Sequence, residues 1–336
     1  MIARPDNYAL AAALMLLPAC VCRADIPPPD YDFQWANISD RNNAAYPGPG
    51  GNAGRGSVSY AYRVSKLEIT TAQWADFLNM ALRQNVNLDT YSLRPVFWGA
   101  TKSGGQYLVP EPMRPVMGLN WRAGAYYCNW LNNGKQESWN SCLNGSYDTS
   151  TFSGVPGQVY TDQLYHSPDA KFWIPTLDEY LKAAHYDPNK GGVGQGGWWA
   201  YPYRSDSPPT PGAPGIGQTS GGWDPGDFSE LTVNLGAYTG SVSAYGLWDL
   251  SGGSAEWIEE PATLDTATGK YMRRRVFGSY AGSRTYLGND HVQSGNADYP
   301  AEGGFYGFRI AGQIPAPSVT AAFVGSTGLF LFRRRR

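Results

Sequence analysis

Tyr245-Gly-Leu-Trp-Asp-Leu-Ser-Gly-Gly-Ser-Ala-Glu-Trp257 puts two tryptophans, three glycines and two carboxylates into one short span, with Gly240 just upstream. Asp249 and Glu256 are its only acids. The run between them, Ser251-Gly-Gly-Ser254, is too flexible for a helix interior. A chain that turns sharply between two carboxylates can aim side-chain and backbone oxygens at one point. That is the arrangement a hard cation such as calcium takes on an irregular loop. The competing reading is a core turn anchored by Trp248 and Trp257, with two solvated acids.

The surrounding composition suits such loops. In 336 residues there are 41 Gly, 25 Pro, 12 Trp and 23 Tyr, and only 16% of residues are charged. Aromatic side chains bury large areas, so the chain is not disordered. It reads as a globular domain with long loops pinned by rings. A net charge of −2 gives no footprint for nucleic acid.

Three helices can be placed from their caps and apolar spacing. One starts at Thr70 or Thr71 and buries Trp74, Phe77 and Leu78. A second, over 122–131, is capped by Asn120. A third follows Pro175, capped by Thr176 with Asp178 and Glu179 in its first turn. Strands are expected over 58–64, around 172–173, over 274–280 and over 306–311. With no repeat and no internal linker, one domain from about 58 to 312 is the simplest organisation, preceded by a Pro- and Gly-rich arm over 25–57.

The ends read as addresses. Residues 1–24 have the form of a secretory signal: Arg4, an apolar stretch from Tyr8 to Pro18, and a small-residue site before Asp25. Leu17-Pro-Ala-Cys20 is a second, weaker fit, to a lipoprotein box. Residues 313–336 hold Pro315-Ala316-Pro317, a short apolar run to Phe332, and Arg333 to Arg336. The run is short for a span and Arg-flanked, which suits a transient membrane stop. This end resembles the PEP-CTERM sorting signal of Gram-negative bacteria, with Ala316 where Glu is usual. That resemblance implies an exosortase-type processing enzyme and a protein exported to the periplasm, outer surface or medium. In an oxidising compartment Cys128 and Cys142 could pair. The alternative is two buried thiols, and the sequence leaves both open.

Five blocks in order carry a wider resemblance: Glu68-Ile-Thr-Thr-Ala-Gln-Trp-Ala-Asp-Phe-Leu-Asn79, Pro115-Val-Met-Gly-Leu-Asn-Trp121 running on to Leu131, Trp173-Ile-Pro-Thr-Leu-Asp-Glu179 running on to Ala184, Gly246 to Trp257, and Val276-Phe-Gly-Ser-Tyr280 with Gly307-Phe-Arg-Ile-Ala311. Together they resemble the formylglycine-generating enzyme, or sulfatase-modifying factor, domain family. The resemblance implies a single α+β domain, rich in irregular loops and related to C-type lectins. It also implies a structural calcium held by the Asp249 and Glu256 side chains and the carbonyls of Gly252 and Ser254. The family's usual Gly-Asn-Val-Trp reads Gly252-Gly253-Ser254-Ala255 here.

The catalytic pattern departs from the family. Two cysteines after the Gly-Gly-Ser strand serve copper and oxygen chemistry there, because thiolates suit Cu(I). Gly282 and Leu287 stand at those positions in this sequence, and neither can ligate copper. His166, His185 and His291 form no ligand pattern for iron and read as loop or surface residues. Glu259-Glu260 reads as a solvated edge, Arg273 to Arg275 as exposed arginines entering a strand, and Arg309 as structural. The aromatic loops around Trp198-Trp199 and Trp223 either shape a groove for sugar or peptide or pin their own loops. The expected function is therefore a binding or structural module of the cell envelope or its polysaccharide matrix. The alternative is a metal-dependent oxidoreductase of the same superfamily.

Overall fold

Helix-forming segments supply the scaffold, and each start is satisfied locally. In the computed structural model, α1 (Thr71–Arg83) begins at Thr70, whose hydroxyl accepts from the Gln73 N–H while Gln73 reaches back to the Thr70 N–H. This reciprocal box satisfies two donors that a helix start otherwise leaves bare. Asn120 accepts from the Ala123 N–H to open α2 (Trp121–Asn132). Thr176 and Glu179 repeat the box at α3 (Leu177–His185).

The strands are short. In chain order they are β1 (Trp35–Ile38), β2 (Tyr62–Ser65), β3 (Thr101–Ser103), β4 (Gln106–Leu108), β5 (Phe172–Trp173), β6 (Tyr186–Asp187), β7 (Gly197–Trp198), β8 (Ala255–Asp265), β9 (Lys270–Phe277), β10 (Asn296–Asp298), β11 (Tyr306–Gly307) and β12 (Ala311–Gly312). One antiparallel sheet has the order β1-β2-β12-β5. A second has the order β10-β9-β8-β11, in which only the β8–β11 pair is parallel. Two hairpins, β3–β4 and β6–β7, stand apart. The ladder between β8 and β9 shifts register between Trp257 and Pro261, where proline has no N–H to give. The structure describes residues 28–155, 157–283 and 290–315, which form one compact unit.

Two expectations need correction. The alternation at 58–64 pairs as a strand only from Tyr62, because 58–61 leaves the sheet to reach α3, where the Tyr60 hydroxyl donates to Glu179. The stretch 306–311 is two strands, since the chain leaves the second sheet after Gly307 and joins the first at Ala311. Within the Pro- and Gly-rich arm, Trp35–Ile38 forms a strand along β2, so the first sheet extends into it.

The core fills the space between the helices and the sheets. Trp74, Phe77, Tyr127, Trp130 and Phe308 meet at ring-centroid distances of 5.1–5.9 Å. Buried rings at such spacings add edge-to-face attraction to the area they remove from water. Gly124 in α2 is part of this packing: a Cβ there would lie 3.1 Å from the Ile174 side chain.

Candidate functional site

The span 245–257 turns where its sequence allows. Asp249, Gly252 and Gly253 all adopt left-handed backbone, with φ of 55°, 80° and 65°. A Cβ on Gly253 would lie 2.8 Å from the Glu68 carboxylate, and one on Gly252 would lie 2.4 Å from the Ser220 hydroxyl. Glycine is thus required twice in succession, for conformation and for space.

Neither acid of this loop is solvated. Glu256 and Arg309 are both about 1% exposed and form a bidentate pair, with Nε and Nη2 at 2.5 and 2.6 Å from the two carboxylate oxygens. Arg309 also donates to the carbonyls of Ser65, Lys66 and Trp248 at 3.1–3.2 Å. All five guanidinium N–H groups are therefore used, which is the condition for burying an arginine without a large penalty. Burial lowers its basicity, but Glu256 and the other nearby acids outweigh this and raise it above the ordinary value. Glu68 accepts from the Ser254 backbone N–H and, at 2.6 Å, from its hydroxyl. Burial and the neighbouring Glu256 push the Glu68 carboxyl well up. Asp249 accepts from the Gly236 N–H at 2.7 Å, and burial pushes it up to about 6.

These partners bear on the calcium expectation. A hard cation takes about six to eight oxygens. Here both Glu256 oxygens face a guanidinium, one Asp249 oxygen holds a backbone N–H, and the Ser254 hydroxyl is turned to Glu68. Among the described residues no three of His, Cys, Asp and Glu are grouped to hold a metal. The side chains as arranged do not fit a calcium cage, and Arg309 supplies the positive charge at Glu256.

The position expected to carry family chemistry lies close by. Gly282 has φ 79° and donates its N–H to the Ser220 carbonyl at 3.0 Å. A Cβ there would sit 3.0 Å from Glu230 Oε1. Leu287, the second expected position, lies outside the described residues. Phe97, Phe305 and Tyr280 stack in a column, at 5.4 and 4.5 Å with their planes within 13°. Phe97 also lines a groove of ≈ 410 Å³ of mixed character, with Val96, Trp98 and Phe228 beside Arg114 and Thr232. Beneath this surface, Asp290 accepts from the Ser279 N–H, the Ser279 hydroxyl and the Ser251 hydroxyl, at 2.6–3.0 Å. Burial nevertheless pushes it up to about 7.

Cys128 in α2 and Cys142 are free, buried thiols. Burial pushes the first well up and the second up to about 12. A thiol so held is a packing group, since the thiolate is the nucleophile and the metal ligand. Of the sorting motif, Pro315 is the last described residue, and Ala316 and Pro317 lie outside the described set.

With this geometry in place, residues 45–314 match the sulfatase-modifying factor enzyme 1-like domain. The chain belongs to that family. Among solved structures, the sulfatase-modifying-factor fold here is similar to Treponema denticola variable protein 1, with a TM-score of 0.53 and 17% identity over 84% of this chain and 95% of that one. It is likewise similar to CarF, with a TM-score of 0.50 and 17% identity over 84% and 98%. Identity this low shows the fold alone. A search among curated proteins finds no match.

Three side chains, Glu259, Arg274 and His185, are placed otherwise than the sequence suggested, and His166 lies in a loop as expected. Glu259 is fully buried, accepting from the Tyr147 hydroxyl and paired with His166 Nδ1 at 2.9 Å. His166 stacks on Trp173 at 4.4 Å, and Glu259 outweighs the effect of burial to raise its pKa. Arg274 is buried over the Trp121 ring at 3.4 Å and donates to the carbonyls of Gln163, Leu164 and Glu259. His185, at the end of α3, is 2% exposed rather than on the surface, and burial lowers its pKa to about 3. Each lies under a partner distant in the chain, which no local pattern reveals. The aromatic loops mostly pin themselves: Trp198 packs against Tyr46 and Tyr186 and donates to the Ala44 carbonyl.

Asp290 gives a measurable pH signature. Its folded-state value of about 7 lies above its ordinary 3.8, so its contribution to stability is complete below about pH 4 and is lost as pH rises through 7. Asp290→Asn removes this titration. Thermal melts across that range should show the wild type losing stability relative to the variant as pH rises, and a pH-independent difference would refute the assignment.

Proposed function

We propose that this chain is an exported member of the sulfatase-modifying-factor family that has left the family's oxidative chemistry and works as a binding module of the cell envelope or its polysaccharide matrix. The observation that carries the reading is the state of its thiols. Both cysteines of the described residues are buried with their pKa pushed up, and Gly282 stands where the family aligns a catalytic cysteine. Cu(I) chemistry needs accessible thiolates, and a soft metal would find none there. In this reading the first 24 residues direct export. The Pro315-Ala316-Pro317 segment, the apolar run and the terminal arginines direct processing by an exosortase-type enzyme, with transient membrane contact. Among the described residues no helix is long and apolar enough to cross a membrane.

The loop that the family resemblance would give to calcium is fastened by the protein's own groups, with Arg309 as the cation. The separation of a fixed core from variable surface loops is what a scaffold needs to carry new binding chemistry.

A direct test incubates the purified protein with copper, oxygen and a sulfatase-derived peptide containing the target cysteine. Mass spectrometry should find no formylglycine, and metal analysis should find no stoichiometric copper or iron. Turnover, or either metal at one per chain, would overturn the reading. In the same preparation, chelation should leave the melting temperature unchanged. A calcium-dependent rise that Asp249→Ala abolishes would restore the calcium loop.

A further inference from the structure

On another part of the surface, Arg55, Ser57, Ser59, Tyr60, Tyr165, Thr176, Asp178 and Glu260 enclose a groove of ≈ 340 Å³. Its floor is a fixed ionic array. Arg55 Nε and Nη2 donate to Asp178 at 3.0 and 3.1 Å, and Nη1 and Nη2 donate to Glu260 at 2.9 and 3.2 Å. The Gly56 N–H adds a bond to Asp178 Oδ1 at 2.6 Å. These groups stay in reach of solvent, with side-chain exposures of 34% for Arg55 and Asp178 and 17% for Glu260.

The bonds leave a definite surplus. Each carboxylate oxygen accepts about two hydrogen bonds and a guanidinium offers five N–H groups. Asp178 Oδ1 is then filled, while Asp178 Oδ2 and both Glu260 oxygens each have one acceptor position left. Arg55 has one N–H left, on Nη1. Several acceptors beside one donor, all held rigid, match neighbouring hydroxyl groups that donate to carboxylates and accept from an arginine. Arg275 also lies near enough to feel both Arg55 and Glu260.

Two rings complete it. Tyr60 and Tyr165 are 44% and 48% exposed, among the most open aromatic side chains of the described residues. Tyr60 is held in place because its hydroxyl donates to Glu179 at 2.9 Å. Exposed aromatic rings beside an ordered polar array suit the apolar C–H face of a sugar, whereas an apolar ligand would strand the ionic groups.

We infer that this groove is a saccharide-binding site for a neutral sugar unit of a polysaccharide, with Asp178, Glu260 and Arg55 bonding hydroxyls and Tyr60 and Tyr165 stacking on the ring. The inference rests on the binding-module reading and names its ligand class. Short neutral oligosaccharides of glucose, mannose, galactose or N-acetylglucosamine would be titrated into the full-length protein by calorimetry. At least one should bind saturably. Tyr165→Ala should weaken it by several-fold to about tenfold, the scale of one lost stacking contact, with the melting temperature unchanged. Tyr60→Ala should weaken it likewise, and inorganic phosphate should not compete. No binding across the series, or displacement by phosphate, would overturn the inference. Binding that both tyrosine variants leave intact would also overturn it, while leaving the binding-module reading in place with its site elsewhere.

Discussion

A cation buried at the point where the chain changes sheets governs this fold. Arg309 lies between β11, in one sheet, and β12, in the other. It reaches back to Glu256 in β8 and to the carbonyl at the end of β2. An unpaired guanidinium in that position would cost several kcal/mol, so the two sheets, the loop at Trp248 and the acid at Glu256 must form together. One cation faces three buried carboxyls there, Glu68, Asp249 and Glu256. Burial raises the pKa of all three, and the charge of Glu256 adds to the rise at Glu68 and Asp249; Glu68 is pushed well up.

The ordered sequence blocks become a set of contacts made by one segment and the strand that follows it. Ser254 meets Glu68 of the first block. The Trp257 indole N–H donates to the Leu119 carbonyl of the second at 2.8 Å, and the Glu259 N–H donates to the Pro175 carbonyl of the third at 2.9 Å. The Gly252 N–H donates to the Ser279 carbonyl, and Glu256 pairs with Arg309, both in the last. A glycine-rich turn with a tryptophan after it can make all these approaches because it has little side-chain bulk at the crossing points and a large ring where the core must be filled.

What could be read beforehand follows the range of each interaction. Thr70, Asn120 and Thr176 were legible as caps because a cap is written within three residues. The family and the α+β class were legible because five blocks keep their order. The two acids of the central turn were legible as important, and their partner was not: Arg309 is 53 residues from Glu256, and nothing local marks the pairing. Glu259, Arg274 and His185 were misread for the same reason, since surface and core versions of a charged residue look alike until distant elements close over them. The groove at Arg55 and Tyr165 was invisible in sequence because it joins four separated segments. On β8, Glu260 is partly exposed while the neighbouring Glu259 is buried, a difference that the pair of identical residues does not show in sequence.

The core is fastened by buried ion pairs, chief among them Glu256 and Arg309. The most direct measurement of that core is a double-mutant cycle on Glu256→Gln and Arg309→Met by urea unfolding, in the presence of a calcium chelator. Each single variant should lose about 3–5 kcal/mol, and the double variant should lose clearly less than their sum, because removing both charges leaves neither stranded. Losses that add to within about 0.5 kcal/mol would contradict the account, because the pair would then contribute nothing as a pair.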